Sequence, residues 1–321
     1  RIGLLLAGLP DRVPGITINR FCASGLQAVA DAAARIRLGE ADVMIAAGTE
    51  SMSAMPQITG NKTSINPAVF AAEEHLGIAY GMGLTAEKVA AKWKVSREDQ
   101  DAFAFVSHRR ATAAIAAGLF AKEIAPYTVK TWLPGEGGAV QVTEQRVEHD
   151  EGPRADASID KLAALKPVFA ARGSVTAGNS SQMSDGAGAV LLMSEAGLKR
   201  TGATPVARLA GYAVAGVPPE LMGIGPVEAI PRALALAGVS RDALGWIELN
   251  EAFAAQAIAV IRELDLDPAR VNPLGGAIAL GHPLGATGAI RTATLMAAMA
   301  RDARLRYGMI SMCIGTGMGA A

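Results

Sequence analysis

The chain has 321 residues, half of them hydrophobic, and its 30 acidic and 30 basic side chains cancel to a formal net charge of zero. This length and apolar content predict a globular protein of about two domains with a sizeable core. The balanced charge excludes the broad basic field that nucleic-acid or anionic-membrane binding requires, and no run approaches the roughly 20 apolar residues that span a bilayer.

The first chemically suggestive stretch surrounds Cys22. Ile16 and Ile18 alternate with polar neighbours as in a half-buried strand, and the apolar residues of 26–36 recur at helical spacing. Cys22 is therefore expected at a helix N-terminus, where the helix dipole would stabilise a thiolate and make it a better nucleophile. From this stretch alone, an inert buried cysteine fits equally well.

The next segments predict the fold class. Gly39 is a helix stop, and residues 41–53 read as a buried strand, so strand, helix and strand predict an α/β fold with largely parallel pairing. From about residue 54 to residue 172, more charged and aromatic residues indicate an insertion, in which Thr85 and Ser96 are candidate helix caps. The charged run at 144–156 predicts a solvated loop from which Arg154 could reach a substrate phosphate.

The remainder of the chain returns to small apolar residues and adds a second α/β pattern from residue 204 onward. Asn250 follows the predicted strand WIEL, either as a helix N-cap or as a functional amide. His282 lies in a glycine-rich loop that leads into a long helix. A strand reaches Cys313, and Gly315 just beyond it offers a backbone N–H without side-chain obstruction. The two cysteines are too few and too far apart in sequence for a disulfide framework or a zinc motif. This favours an intracellular protein, with the cytoplasm as the preferred compartment.

Five segments resemble the signature segments of thiolases, namely CASGLQA, VTAGNSSQMSDGAGA, NEAFAAQ, GHPLGATG and CIGTGMG. They occur in the family's order across nearly the whole chain. The resemblance implies an α/β thiolase-like fold with two similar halves in α-β-α-β-α layers and an inserted loop domain. The first half would comprise residues 1–53 and 173–203, the loop domain residues 54–172, and the second half residues 204–321. The family's opening strand and helix, and its last strand, would lie outside this sequence.

The resemblance also implies a reaction, the reversible thiolytic cleavage of a 3-ketoacyl-CoA by CoA into acetyl-CoA and a shortened acyl-CoA, as in fatty-acid β-oxidation. Cys22 would be the nucleophile that carries the acyl group, and His282 its base. Cys313 would protonate the acetyl-CoA enolate. Asn250, through a water that it holds, and the backbone N–H of Gly315 would stabilise the oxyanions.

CoA is implied as a substrate, with no metal and no nicotinamide cofactor. The family pattern implies CoA or substrate contacts from six residues: Met82, Arg154, Phe169, Ala177, Ser181 and Phe253. Gly81 stands before Met82 where acetoacetyl-CoA-specific members often carry a histidine, which favours a degradative enzyme for longer chains. The expected assembly is a homodimer or homotetramer.

Four alternatives stay open at this point. The chain could be a biosynthetic acetoacetyl-CoA thiolase, or a non-catalytic thiolase-like subunit that binds acyl-CoA or assembles with partners. A related decarboxylating ketoacyl synthase should offer two active-site histidines, whereas the final motif here supplies Cys313. A redox protein that uses Cys22 and Cys313 would require their α-carbons to lie within disulfide range.

Overall fold

The computed structural model describes residues 1–54 and 66–321, so the beginning of the predicted inserted domain, residues 55–65, lies outside the described residues. The helices are α1 (Ile2–Leu6), α2 (Ser24–Arg37), α3 (Met82–Lys92), α4 (Arg97–Ala116), α5 (Ile159–Ala163), α6 (Glu195–Thr201), α7 (Gly225–Ala237), α8 (Ala254–Glu263), α9 (Ala277–Leu280) and α10 (Leu284–Arg301). The strands are β1 (Val43–Ser51), β2 (Tyr127–Pro134), β3 (Val140–Val147), β4 (Asp185–Met193), β5 (Val214–Gly216), β6 (Trp246–Leu249), β7 (Gly308–Ile314) and β8 (Met318–Ala320).

Two sheets enclose a central helical layer. β1 pairs with β4, and a second sheet has the strand order β5-β8-β7-β6. Helices α2 and α10 pack against each other, α10 contacts strands of both sheets, and α7 covers the outer face of the four-stranded sheet. This helix–sheet layering agrees with the architecture that the resemblance implies, and it places α10 between the two sheets.

Local signals in the sequence explain several element boundaries. The Ser96 side chain accepts a hydrogen bond from the Asp99 backbone N–H, which caps α4 as expected. Thr85 is not a cap, because it is buried inside α3 and its hydroxyl donates to the Met82 carbonyl at 2.7 Å. Gly238 ends α7 in the left-handed region at φ 64°, a conformation that glycine adopts at no steric cost.

The predicted strand before Cys22 is wrong. Residues 14–20 form no strand, and the Ile16 side chain is 78% exposed. Alternation of two isoleucines reports only which way side chains face, whereas a strand also needs a neighbour that completes its hydrogen-bond ladder. Within the described ranges, no strand lies beside this segment to do so.

The predicted strand pairing is also largely wrong. β1 and β4 are antiparallel, as are β2 and β3, and among the described strands only β6 and β7 pair in parallel. A strand that is antiparallel to its partner can have one face covered and one open, and β1 does so, with Ala46 as its single buried residue. The sequence suggested a fully buried strand because small apolar residues occupy both faces.

The charged run at 144–156 is not simply a loop. Its first residues belong to β3, which forms an exposed antiparallel hairpin with β2. Lys130 pairs with Glu144 across this hairpin at 2.8 Å.

No helix of the described parts of the chain is both long and apolar enough to cross a membrane.

Candidate active site

The candidate nucleophile, Cys22, lies in a 3₁₀ turn, Phe21–Ala23, that leads directly into α2. The turn begins with Phe21 in the left-handed region at φ 46°, and the Ser24 hydroxyl secures it by donating to the Phe21 carbonyl at 2.7 Å. Such a conformation in a bulky residue is energetically costly and is held by the surrounding structure. The turn places Cys22 at the N-terminus of α2, as predicted.

The predicted acidity of this thiol is wrong for the free protein. Burial raises the pKa of the Cys22 thiol to about 11, because a thiolate loses its hydration there. Backbone N–H groups of Gly315 and of Cys22 itself lie against the sulfur and lower its pKa, while the nearby Glu50 carboxylate raises it. At neutral pH the resting nucleophile is therefore a neutral thiol that faces two backbone donors.

His282 occupies the loop between α9 and α10 and is also buried. Its Nε2 lies 3.2 Å from the Asn250 side-chain nitrogen, and its Nδ1 lies 2.7 Å from the Thr287 hydroxyl. Burial, together with the charge of Arg291, lowers the pKa of His282 to about 3. The imidazole is therefore neutral across the physiological range and can act as a base.

Asn250 lies at the junction after β6, but it does not cap the following helix, which begins after Phe253. Its backbone N–H donates to the Ser311 carbonyl of β7 at 2.8 Å, and its own carbonyl accepts from the Gln256 side chain at 3.2 Å. The Asn250 Oδ1 atom is buried and has no hydrogen-bond partner among the described residues. This arrangement leaves an acceptor available to a bound group.

Cys313, near the end of β7, belongs to the same buried apolar cluster as Phe253. Burial raises the pKa of the Cys313 thiol, and the neighbouring Cys22 raises it further. Both cysteines are free thiols. The structure therefore brings a second protonated thiol close to the nucleophile.

The residues expected to contact CoA divide into two groups. Phe169 and Phe253 meet edge to face with ring centroids 6.0 Å apart, and a Cβ added at Gly315 would lie 3.6 Å from the Met82 sulfur. The Ser181 backbone N–H donates to the Ala252 carbonyl at 2.9 Å. Of these residues, Phe253 shares the buried cluster of Cys313, and Met82 lies next to Gly315. Their contacts with CoA stay predictions.

The other two expected contacts lie farther out. The side chains of Ala177 and Arg154 are both exposed. The Arg154 backbone N–H donates to Nδ1 of the buried His108 at 3.2 Å. A Cβ at Gly152, two residues earlier, would overlap the Ala279 carbonyl in α9, the short helix that precedes His282. The backbone of this segment thus packs against His108 and α9, and the contact of Arg154 with CoA stays a prediction.

The family models described as "Thiolase, N-terminal domain" and "Thiolase, C-terminal domain" match residues 1–196 and 203–321. The chain belongs to the thiolase family. It is 52% identical to a 3-ketoacyl-CoA thiolase of Bacillus subtilis, over 98% of this chain and 80% of that protein.

Two further relatives agree with this assignment. The peroxisomal 3-ketoacyl-CoA thiolase B of Mus musculus is 47% identical over 100% of this chain and 74% of its own length. The crystal structure of the dimeric peroxisomal thiolase of Saccharomyces cerevisiae superimposes with a TM-score of 0.86 at 40% identity. That match covers 99% of this chain and 78% of the yeast chain, so the thiolase fold extends over the whole of the present sequence.

Several residues of this thiolase site were missed as site residues by sequence reasoning. The Ser184 hydroxyl accepts from the His282 backbone N–H at 3.1 Å, and the Glu50 carboxylate accepts from the Gly285 N–H at 3.0 Å. Glu251 accepts from Ser107, from Asn272 and from the Ile278 backbone. Glu50 lies in the predicted strand segment 41–53, and Ser184 lies in the segment VTAGNSSQMSDGAGA that resembles the family. Their place in those two segments is the one signal that could have indicated them.

The described part of this thiolase contains no cluster of three or more His, Cys, Asp or Glu side chains that could hold a metal ion.

Cys22 and His282 are connected through the start of α10. That helix packs against the Phe21–Ala23 turn, and Glu50 links its first turn to the neighbourhood of Cys22. The site therefore joins the two halves of the thiolase fold.

Proposed function

We propose that this thiolase catalyses the reversible thiolytic cleavage of 3-ketoacyl-CoA by CoA, giving acetyl-CoA and a shortened acyl-CoA. The proposal rests on the groups that surround the Cys22 sulfur. The sulfur faces the backbone N–H groups of Gly315 and of Cys22 itself, and it lies near the Cys313 thiol. A nucleophile, oxyanion donors and a second proton donor are the three elements that this carbon–carbon cleavage requires.

In the first half-reaction, the Cys22 sulfur attacks C3 of the substrate while its proton passes to Nε2 of His282. Because the thiol and the imidazole are both neutral at rest, proton transfer accompanies attack and no preformed ion pair is needed. The N–H groups of Gly315 and Cys22 stabilise the oxyanion that forms at C3. Each such donor is typically worth about 2.7–4 kcal/mol of barrier.

Collapse of this intermediate breaks the C2–C3 bond and leaves the electron pair on C2 as an acetyl-CoA enolate. Cys313 donates its proton to C2, and acetyl-CoA departs while the acyl group remains on Cys22 as a thioester. The enolate oxygen is stabilised by the protonated His282 and by a water held on Asn250 Oδ1, an acceptor with no other partner among the described residues.

In the second half-reaction, the proton on His282 returns to the Cys313 thiolate, and the neutral imidazole can accept the proton of an incoming CoA thiol. The CoA sulfur attacks the thioester, and His282 delivers the proton to Cys22 as the acyl group leaves. All protons are then back at their starting positions. The cycle uses CoA and acyl-CoA as substrates and includes no resident cofactor.

The degradative direction with longer acyl chains is the favoured form of this proposal. It is supported by the names of the relatives in Bacillus subtilis and mouse, both 3-ketoacyl-CoA thiolases. We place the six expected CoA and substrate contacts, including Arg154 at the nucleotide end, within the same proposal. Biosynthetic condensation of two acetyl-CoA molecules uses the same residues and is the competing form.

We further propose that the protein is a homodimer or homotetramer and that it works inside the cell, with the cytoplasm as the favoured compartment. The yeast structure is that of a dimeric enzyme. The open face of the β1–β4 sheet carries exposed apolar side chains, including Ile45 and Leu191, which a partner could cover. Both cysteines are free, as a reducing compartment keeps them.

The test of this function is to mix the protein with CoA and either acetoacetyl-CoA or a longer 3-ketoacyl-CoA, and to measure loss of the 3-keto substrate. Cleavage of the longer substrate supports the degradative form, whereas cleavage of acetoacetyl-CoA alone supports the biosynthetic one. Absence of turnover with both would reject the enzyme. The control is Cys22→Ala, which should also lose the acyl adduct seen by intact mass.

A second experiment separates the two thiols. We expect Cys313→Ala to acquire the acyl group on Cys22 from an acyl-CoA, because that step needs only the nucleophile and His282. Exchange of the α-protons of acetyl-CoA with deuterated water should fall by at least about 100-fold, the size of a typical acid–base contribution. Normal exchange in this variant would remove Cys313 from the mechanism.

A further inference from the structure

The neighbourhood of His282 contains a hydroxyl that the reaction as described does not use. Thr287 lies in the first turn of α10, and its Oγ1 is 2.7 Å from Nδ1 of His282. The same oxygen is 3.1 Å from the Pro283 carbonyl, one helical turn earlier. Thr287 and His282 are both buried, at 1% and 3% exposure, so this contact is shielded from bulk water.

The proton positions in this chain of contacts follow from what each atom can do. A carbonyl oxygen only accepts, so the Thr287 hydroxyl proton that points to Pro283 leaves an oxygen lone pair towards His282. That lone pair requires a proton on Nδ1. On the opposite side of the ring, the Asn250 amide nitrogen, which only donates, faces Nε2 at 3.2 Å. Both contacts are matched when Nδ1 is protonated and Nε2 is not.

We propose that Thr287 is a positioning residue that holds His282 in the Nδ1–H tautomer, so that Nε2 is the nitrogen that accepts protons from Cys22 and CoA. This inference rests on the proposed function for its catalytic consequence. The same tautomer also fixes the orientation of the Asn250 amide. Its nitrogen turns towards Nε2 of His282, and its Oδ1 is left as the acceptor without a partner among the described residues. One hydroxyl thus sets the roles of both His282 and Asn250.

The opposite tautomer would disable the site in a specific way. If Thr287 donated to Nδ1, Nε2 would carry the proton and could not accept one from a thiol. Asn250 would then turn its oxygen towards the ring and present its nitrogen to the enolate site. The Nδ1–H arrangement also serves the imidazolium state, since Thr287 still accepts from Nδ1 after Nε2 gains a proton.

The chain offers two variants and a matched control. Thr287→Val removes the hydroxyl at nearly constant shape, and Thr287→Ser restores it. Thr292→Val removes a similar bond from the same helix, because the Thr292 hydroxyl donates to the Gly288 carbonyl at 2.7 Å. Pairing of Thr287 and Thr292 variants separates the effect on the imidazole from any general effect of a lost hydroxyl on α10.

We expect Thr287→Val to lower kcat by about 10- to 100-fold with little change in KM, the range typical for loss of a buried orienting partner. Thr287→Ser should return kcat to within a few-fold of wild type, and Thr292→Val should differ little from wild type. If Thr287→Val and Thr292→Val have equal kcat, the proposal is overturned.

A spectroscopic readout tests the tautomer without turnover. The protein is labelled with ¹⁵N-histidine, and long-range ¹⁵N–¹H correlations identify the protonated ring nitrogen, with His282→Gln as the assignment control among the four histidines. Protonated Nδ1 in the wild type supports the proposal, and protonated Nε2 overturns it, even if Thr287→Val does not fold. Because this measurement needs no substrate, its outcome is distinct from failure of the thiolase assay.

Discussion

Cys22 is protected from ionisation by its burial, although it lies at a helix N-terminus. Two features of the site lower its pKa, the N–H groups of Gly315 and of Cys22 itself, but loss of hydration outweighs them and raises the pKa to about 11. A thiol of this kind reacts with its substrate only when a base is positioned beside it. In the proposed mechanism that base is His282, which burial holds neutral.

The pH dependence of alkylation measures this property directly. We expect the rate at which iodoacetamide modifies Cys22 in the free enzyme to rise about tenfold per pH unit from pH 6 to pH 9, because the thiolate fraction keeps growing below a pKa of about 11. Peptide mass spectrometry identifies the modified cysteine, and free cysteine under the same conditions is the control. A plateau below pH 8 would show that the helix dipole prevails over burial.

Among the elements, helices α2 and α10 set the distance between Cys22 and His282, the proposed nucleophile and base. They approach closely because glycines remove side chains from their contact: a Cβ on Gly288 would overlap the Leu26 amide nitrogen and lie 2.8 Å from the Gly25 carbonyl carbon. Cys22 lies just before one helix and His282 just before the other. Close packing of these helices is therefore part of the catalytic geometry.

Gly288→Ala tests this contact. We expect a loss of about 1–3 kcal/mol in the free energy of unfolding, as for other overpacked contacts, and a fall in kcat because the helices must move apart. Gly3→Ala in α1 is the control, since no heavy atom lies within 4 Å of its added Cβ, and its stability should change by less than about 1 kcal/mol. Urea unfolding and steady-state kinetics measure both. Equal stability of the two variants would contradict the packing argument.

The sequence predicts elements where the signal is local. A strand, a tight turn and a helix can be recognised from adjacent residues, which is why His282 lies before a helix and Cys313 near the end of a strand, as predicted. Strand pairing depends on distant segments, so the antiparallel register of β1 and β4 and the missing strand at Ile16 could not be inferred from periodicity.

The supporting contacts of the site escape prediction for a related reason. Thr287 follows His282 by five residues, yet its contact depends on how the loop turns before α10 begins. Ser184 contacts the His282 backbone from 98 residues away in sequence, and Glu50 contacts the first turn of α10 from 235 residues away. A single sequence does not specify which distant residues form such hydrogen bonds, whereas the reactive residues themselves lie in recognisable motifs.

At the scale of the whole molecule, Arg291 provides the positive charge for a group of buried carboxyls. It lies 3.4 Å from Glu248, and both side chains are at most 5% exposed. Burial raises the pKa of Glu248 to about 7, and Arg291 opposes that rise. Arg291 also lowers the pKa of Glu123 and Glu251, whose values burial raises. One cation in α10 thus favours the ionised form of carboxyls from several segments, although burial outweighs it.

The sign of the resulting pH dependence follows from these directions. A carboxyl whose folded pKa lies above its unfolded value near 4.5 binds its proton more tightly in the folded state, so stability falls as pH rises from about 4.5 to about 7. Without Arg291 the folded pKa of Glu248 moves higher, and the decline continues to higher pH. The loss in free energy of unfolding caused by removing Arg291 must therefore grow with pH.

Replacement of Arg291 by methionine should lower the free energy of unfolding by about 3–5 kcal/mol at pH 8, where removal of one partner leaves buried carboxylates uncompensated. At pH 5 the loss should be much smaller, because Glu248 is protonated and tolerates burial without a cation. The control is Arg35→Met, which removes an exposed pair with Glu40 and should cost less than about 1 kcal/mol at either pH. Urea unfolding at the two pH values measures the difference, and an equal loss for Arg291→Met at both would show that its role is packing rather than charge.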